Sequence, residues 1–134
     1  MTRRTLLLPL ALTACRRADE PAAPALPEAV AGGWRRTASR DVPPAEAPEP
    51  LAPKTVRRAT AASYEGPGKA EVTLWELTSS ASALDAVQRW RPRPNTVFFY
   101  KDNLFVVVKW EGADRQAIGD FVRSLEKLLA GQTQ

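Results

Sequence analysis

A chain of 134 residues has room for one domain of ordinary size and a linker, and it contains no histidine. That removes the usual base for a serine or cysteine nucleophile and the commonest transition-metal ligand. The formal charge of +4, which becomes +2 once Arg3 and Arg4 are set aside, is too mild to imply nucleic-acid binding.

The chain opens with Arg3 and Arg4, followed by the apolar run Leu6, Leu7, Leu8, Pro9, Leu10, Ala11 and Leu12, and then by Thr13, Ala14 and the chain's one cysteine, Cys15. A cationic start and an apolar stretch too short to span a bilayer form the pattern of an export signal. Leu12-Thr13-Ala14-Cys15 resembles the lipobox of bacterial lipoproteins. The resemblance implies cleavage before Cys15 and acylation of its thiol, with two or three acyl chains making attachment to membrane lipid effectively permanent. Acylation would leave no free thiol, so disulfides and thiolate metal sites are not expected. Thr2-Arg3-Arg4-Thr5-Leu6-Leu7 also looks like the twin-arginine signal, although two arginines equally serve the n-region of any secretory signal.

Residues 1–14 therefore read as a signal peptide and 15–53 as an acylated cysteine with a Pro/Ala-rich tether. Eight of the 12 prolines lie between Arg16 and Pro53, with few large apolar residues, a composition that buries too little surface to offset its ordering entropy. At about 3.1 Å per residue such a tether reaches roughly 100 Å. Trp34, with Arg35 and Arg36, could sit among lipid headgroups or fold back onto the domain.

The domain is expected to span 54–134. Thr55 to Glu65 and Glu71 to Leu77 read as strands around the turn Gly66-Pro67-Gly68-Lys69, which lacks the spacing of a phosphate loop. Ser82 reads as an N-cap, with Asp85 three residues on, for a short helix through Ala83, Leu84, Val87 and Trp90 that Pro92 ends. Arg89, Trp90, Arg91 and Arg93 form a candidate contact for an anionic surface. Alternatively, the arginines complement the helix C-terminus while Trp90 packs inward.

Thr96 to Trp110 carries the strongest pattern, a β-hairpin turning at Asp102 and Asn103 that pairs Tyr100 with Phe105, Phe99 with Val106 and Phe98 with Val107. Val97, Phe99, Leu104, Val106, Val108 and Trp110 share one face; Phe98, Tyr100, Phe105 and Val107 share the other. Ala117, Ile118, Phe121, Val122, Leu125, Leu128 and Leu129 then form a helical stripe opened by Asp114 and closed by Gly131. Trp75-Glu76 and Trp110-Glu111, with Asp85/Asp120 and Val87/Val122, suggest a faint repeat at an offset of 35 residues. A pairing of Glu111 with Asp114 is conceivable, but N-capping is the simpler role for Asp114.

The expected fold is α+β: a four-stranded antiparallel sheet in the order ββα-ββα with both helices packed on it, preceded by the tether. With both helices on one side, Phe98, Tyr100, Phe105 and Val107 would form an exposed interaction patch, unless Val42, Leu51 or Trp34 covers it. From Gly32 onward the chain also loosely resembles exported bacterial proteins of unknown function. The expected function is a membrane-anchored envelope lipoprotein with a non-catalytic interaction domain that meets an envelope protein or self-associates. A binder of small molecules or cell wall through the aromatic face is the alternative, and an enzyme of unknown type the third. No cofactor, metal or nucleic acid is expected.

Overall fold

The Thr96–Trp110 hairpin forms as its pattern dictates. In a computed structural model describing residues 25–132, Thr96–Lys101 and Leu104–Glu111 pair with Tyr100 opposite Phe105, Phe99 opposite Val106 and Phe98 opposite Val107. Asp102 takes φ 55° in the two-residue turn, a left-handed conformation that aspartate tolerates.

The sheet has six strands, which corrects the expectation of four. In chain order they are β1 (Ala29–Val30), β2 (Trp34–Val42), β3 (Val56–Glu65), β4 (Lys69–Leu77), β5 (Thr96–Lys101) and β6 (Leu104–Glu111), with helices α1 (Ser80–Arg89) after β4 and α2 (Arg115–Gln132) after β6. All neighbours are antiparallel, in the spatial order β1-β2-β3-β4-β6-β5. The sheet curls toward a half-barrel. Single 3-10 turns at Pro44–Glu46 and Pro53–Thr55 form a strap between β2 and β3. The expected ββα-ββα order misses β1 and β2, and it places both helices on one side of a sheet in which β6 lies between β4 and β5.

A bulge explains how β2 joins. Arg36 lies opposite Tyr64, whereas Ala38 lies opposite Ser63, so Thr37 is an extra residue that reverses the strand's alternation. Without it, Trp34 and Val42 would share a face. With it, Trp34 enters the core under α2 and Val42 the core under α1.

The helices occupy opposite faces, because the central strands are apolar on both. Under α2, Phe121 and Leu125 meet Trp34, Tyr64, Val72, Val106 and Val108. The Phe121 ring lies 4.9 Å from Trp34 and 5.3 Å from Tyr64, centroid to centroid. Under α1, Ala83 and Ala86 let the helix sit close on Trp75, Phe105 and Val107, with Val42 and Leu51 alongside. The repeat suggested by Trp75 and Trp110 is not structural, since Trp75 faces α1 and Trp110 faces α2.

Capping follows local chemistry. Ser79 rather than Ser82 caps α1, accepting the Ser82 N–H at 3.1 Å. Asp114 caps α2, its Oδ1 accepting the Ala117 N–H at 2.8 Å, and α2 runs through Gly131 to Gln132. Two glycines tie the loops at one end of the sheet. A Cβ on Gly66 would lie 2.5 Å from the Gly33 carbonyl oxygen, and one on Gly68 2.7 Å from that of Glu111.

The boundary expected at Lys54 is therefore placed too late. Leu26, Val30 and Trp34 are core residues, Trp34 being 1% exposed. Tyr64 Oη donates to the Pro27 carbonyl at 2.6 Å, and Arg36 Nη1 donates to the Leu26 carbonyl at 2.7 Å. These bonds fasten the start of the described chain across three strands.

Two outcomes follow. A fragment beginning at Lys54 loses β1, β2 and Trp34, and its thermal unfolding should be broad and non-cooperative, while one beginning at Ala25 melts cooperatively. Trp34→Ala alone should cost about 3–5 kcal/mol. Secondly, desolvation raises the Tyr64 pKa to about 12, against a smaller lowering by Arg36. The folded state thus favours the neutral phenol. Its contribution is complete below pH 10, the unfolded value, and declines as pH rises toward 12. Denaturant melts across that window should show the decline, and Tyr64→Phe should flatten it.

Candidate functional site

The two groups of residues singled out from the sequence meet in one place. Trp90 follows α1 and lays its ring 5.5 Å from Phe98 and 5.4 Å from Phe105, and those two stack on each other at 5.3 Å. Phe105 is 0% and Val107 7% exposed, and Phe98 is half-buried. The aromatic patch is corrected on this point: Phe98, Phe105 and Val107 are closed over by α1, Trp90 and the strap bearing Leu51. Of the four, Tyr100 alone is open, at 42%.

The arginines around Trp90 have separate tasks. Arg89 pairs with Asp85 at 3.5 Å one turn earlier. Arg93 places its guanidinium carbon 4.5 Å from the Trp90 ring centroid and donates from Nη2 to the Glu49 carbonyl at 2.9 Å. It thereby pins the strap over the aromatic cluster. Arg91 is exposed. Trp34, the other residue considered for headgroup contact, is in the core.

Neither carboxylate that the sequence offered for acid–base work, Glu111 or Asp114, makes a pair with another carboxylate among the described residues. Asp114 is spent on the α2 cap. Glu76 is the one buried charged side chain among the described residues, at 7% exposure. A second bulge, at Arg57, sets two arginines opposite it. Arg58 Nε donates to its Oε1 at 2.6 Å, and Arg57 Nη1 lies 3.8 Å from Oε2. A carboxylate held between guanidiniums anchors a sheet corner. No group of three or more potential metal ligands occurs among the described residues.

What the sequence reading missed lies on the α2 side of β5. A cleft of about 890 Å³ runs between the first two turns of α2 and the β5 strand, with Val97, Trp110, Ile118 and Val122 as its apolar lining and Arg115 and Arg123 among its polar residues. That volume lies within the range of ordinary ligand sites. Gly119 opens its wall. A glycine inside a helix costs about 1 kcal/mol relative to alanine, yet a Cβ there would meet nothing nearer than an Arg123 guanidinium nitrogen at 3.6 Å. Packing does not require that glycine, and its presence inside the helical stripe was the signal available in the sequence.

Comparison of the chain with protein-family models, with curated proteins and with solved structures finds no match.

Because Phe98 and Phe105 are packed under Trp90, replacing both by serine should lower stability by several kcal/mol, about 3–5 for a fully buried phenylalanine alone. Net stability is only about 5–15 kcal/mol, so the double variant should be largely unfolded by circular dichroism. Tyr100→Ser, by contrast, should change the melting temperature little.

Proposed function

We propose that the chain is an exported bacterial lipoprotein, acylated at Cys15 and attached through it to membrane lipid on the periplasmic or outer face of the envelope. Its domain serves as a non-catalytic interaction module for an envelope protein. The observation that carries this reading is Leu12-Thr13-Ala14-Cys15 at the end of a short apolar run with an arginine start. Cys15 and the signal lie outside the described residues.

The position of the first core residue sharpens the reading. Leu26 is buried under α2, so only Arg16 to Ala25, ten residues, separate it from Cys15. Ten residues span at most about 35 Å, a third of the reach inferred from composition. The domain is accordingly a membrane-proximal one. No helix among the described residues is long and apolar enough to cross a membrane. A small-molecule site on the aromatic face is not favoured, because Trp90 already fills it.

Metabolic labelling with an alkyne fatty acid tests the anchor. The native chain should label and fractionate with membranes, and Cys15→Ser should lose the label and fall to background in the membrane fraction. Label that persists on the serine variant would overturn the proposal.

A further inference from the structure

The two edges of the sheet are treated differently, and the difference identifies an interaction surface. At one edge β1 is two residues long, and β2 beyond it is bulged and carries Arg40 and Asp41. These are the usual devices that stop an edge from pairing with another chain. At the other edge β5 is six residues long and unbulged, and its one charge is the terminal Lys101. Thr96-Val97-Phe98-Phe99-Tyr100-Lys101 has no proline and an unbroken register with β6.

The register fixes which backbone groups are open. A two-residue loop makes Lys101 and Leu104 the closing hydrogen-bonded pair, so Phe99 and Val97 also bond to β6. Asn95 continues the series, its carbonyl accepting the Trp110 N–H at 3.1 Å. Thr96, Phe98 and Tyr100 therefore direct their N–H and C=O groups away from β6, along an edge that no strand covers among the described residues. Beside that edge lies the cleft under α2.

We propose that β5 accepts an extended, acidic segment of another protein as a seventh strand, with alternate apolar side chains entering the cleft over Val97, Trp110 and Val122 and its carboxylates meeting Arg115 and Arg123. Main-chain bonds supply affinity in this mode, and the pockets for alternate side chains supply specificity. Charge selects the occupant. Arg115 is the first residue of α2, at the positive end of the helix dipole, and makes no ion pair among the described residues; Arg123 pairs with Asp120, and with Arg93 also on the lining three guanidiniums face the single carboxylate of Asp114 there. A second copy pairing β5 with β5 would bring the Arg115 and Arg123 of both copies to the same side of one sheet, with Lys101 of each near Arg93 of the other. Like charges so placed oppose association. The proposal does not depend on the lipid anchor.

Fluorescence anisotropy on the full chain carrying Cys15→Ser tests it, the probe being a fluorescein-labelled octapeptide of alternating valine and glutamate. The peptide should bind saturably, more weakly as salt rises, and should slow amide exchange at Phe98 and Tyr100. The same peptide with lysine for glutamate should not bind. Tyr100→Pro removes an outward N–H without emptying the core, and Gly119→Leu fills the cleft. Each should weaken binding about tenfold or more, as should Arg115→Glu with Arg123→Glu. Because the Gly119 variant leaves the strand intact, a destabilised Tyr100→Pro does not blunt the test. Equal binding of the lysine peptide, indifference to both Tyr100→Pro and Gly119→Leu, or no binding of the glutamate peptide at about 1 mM would overturn the proposal. So would a dimer that protects the same β5 amides.

Discussion

The fold depends on one constraint: its central strands are apolar on both faces, and neither face can be left against water. Val72 and Trp75 of β4 and Val106 and Phe105 of β6 point to opposite sides and are all nearly inaccessible. One helix cannot cover both sides. The chain resolves this by sending α1 to one face and α2 to the other, and by recruiting the strap for what α1, a helix of ten residues, leaves bare. The Leu51 side chain and the Arg93 bond to the Glu49 carbonyl belong to that covering layer. So does Trp90, which closes the aromatic face from within.

The two bulges make this sharing of cores possible. A regular strand offers alternate residues to alternate faces, so a strand with apolar residues at positions 34 and 42 would serve one face only. The extra residue at Thr37 turns β2 into a strand that serves the α2 core at its start and the α1 core at its end. At Arg57 the same device puts two guanidiniums against Glu76, so a charge that would be costly to bury alone is satisfied by hydrogen bonds and paired charge. Local irregularity here serves global packing.

How much of this could be read from the sequence varies along the chain for physical reasons. The β5–β6 pairing and the α2 stripe are legible because each rests on a dense apolar period over many residues. β2 is not, because seven residues between Trp34 and Val42 are small, polar or charged: one face of the strand is solvated and the bulge breaks its alternation. The one available signal was an absence. No proline occurs from Glu28 to Val42, although prolines flank that window on both sides, and a strand inside a sheet needs such a gap. Trp34 also mattered more than composition suggested, since one tryptophan buries as much surface as several alanines. The candidate site was less legible still. Tyr100 was found for its aromatic character, but β5 is an edge only because β6 inserts between it and β4, and that choice of neighbour leaves no mark in local pattern.

The short tether and the open edge bear on each other through concentration. Pairing along six residues of backbone is a modest interaction, since each hydrogen bond to a partner replaces one to water and contributes about 0.5–1.5 kcal/mol net, and ordering an extended segment opposes it. For two molecules free in solution that balance gives weak binding. On the proposed anchor, the domain lies within about 35 Å of the bilayer, and a partner attached to the same membrane is confined to the same thin layer. Linkers that short raise effective concentrations toward the millimolar range, where weak pairing is sufficient. A long tether would dilute the edge through a volume that grows roughly as the cube of its reach. On the proposed anchor, the early start of the fold, with Tyr64 and Arg36 fastening Pro27 and Leu26 to the sheet, would hold the proposed strand site close to the membrane surface.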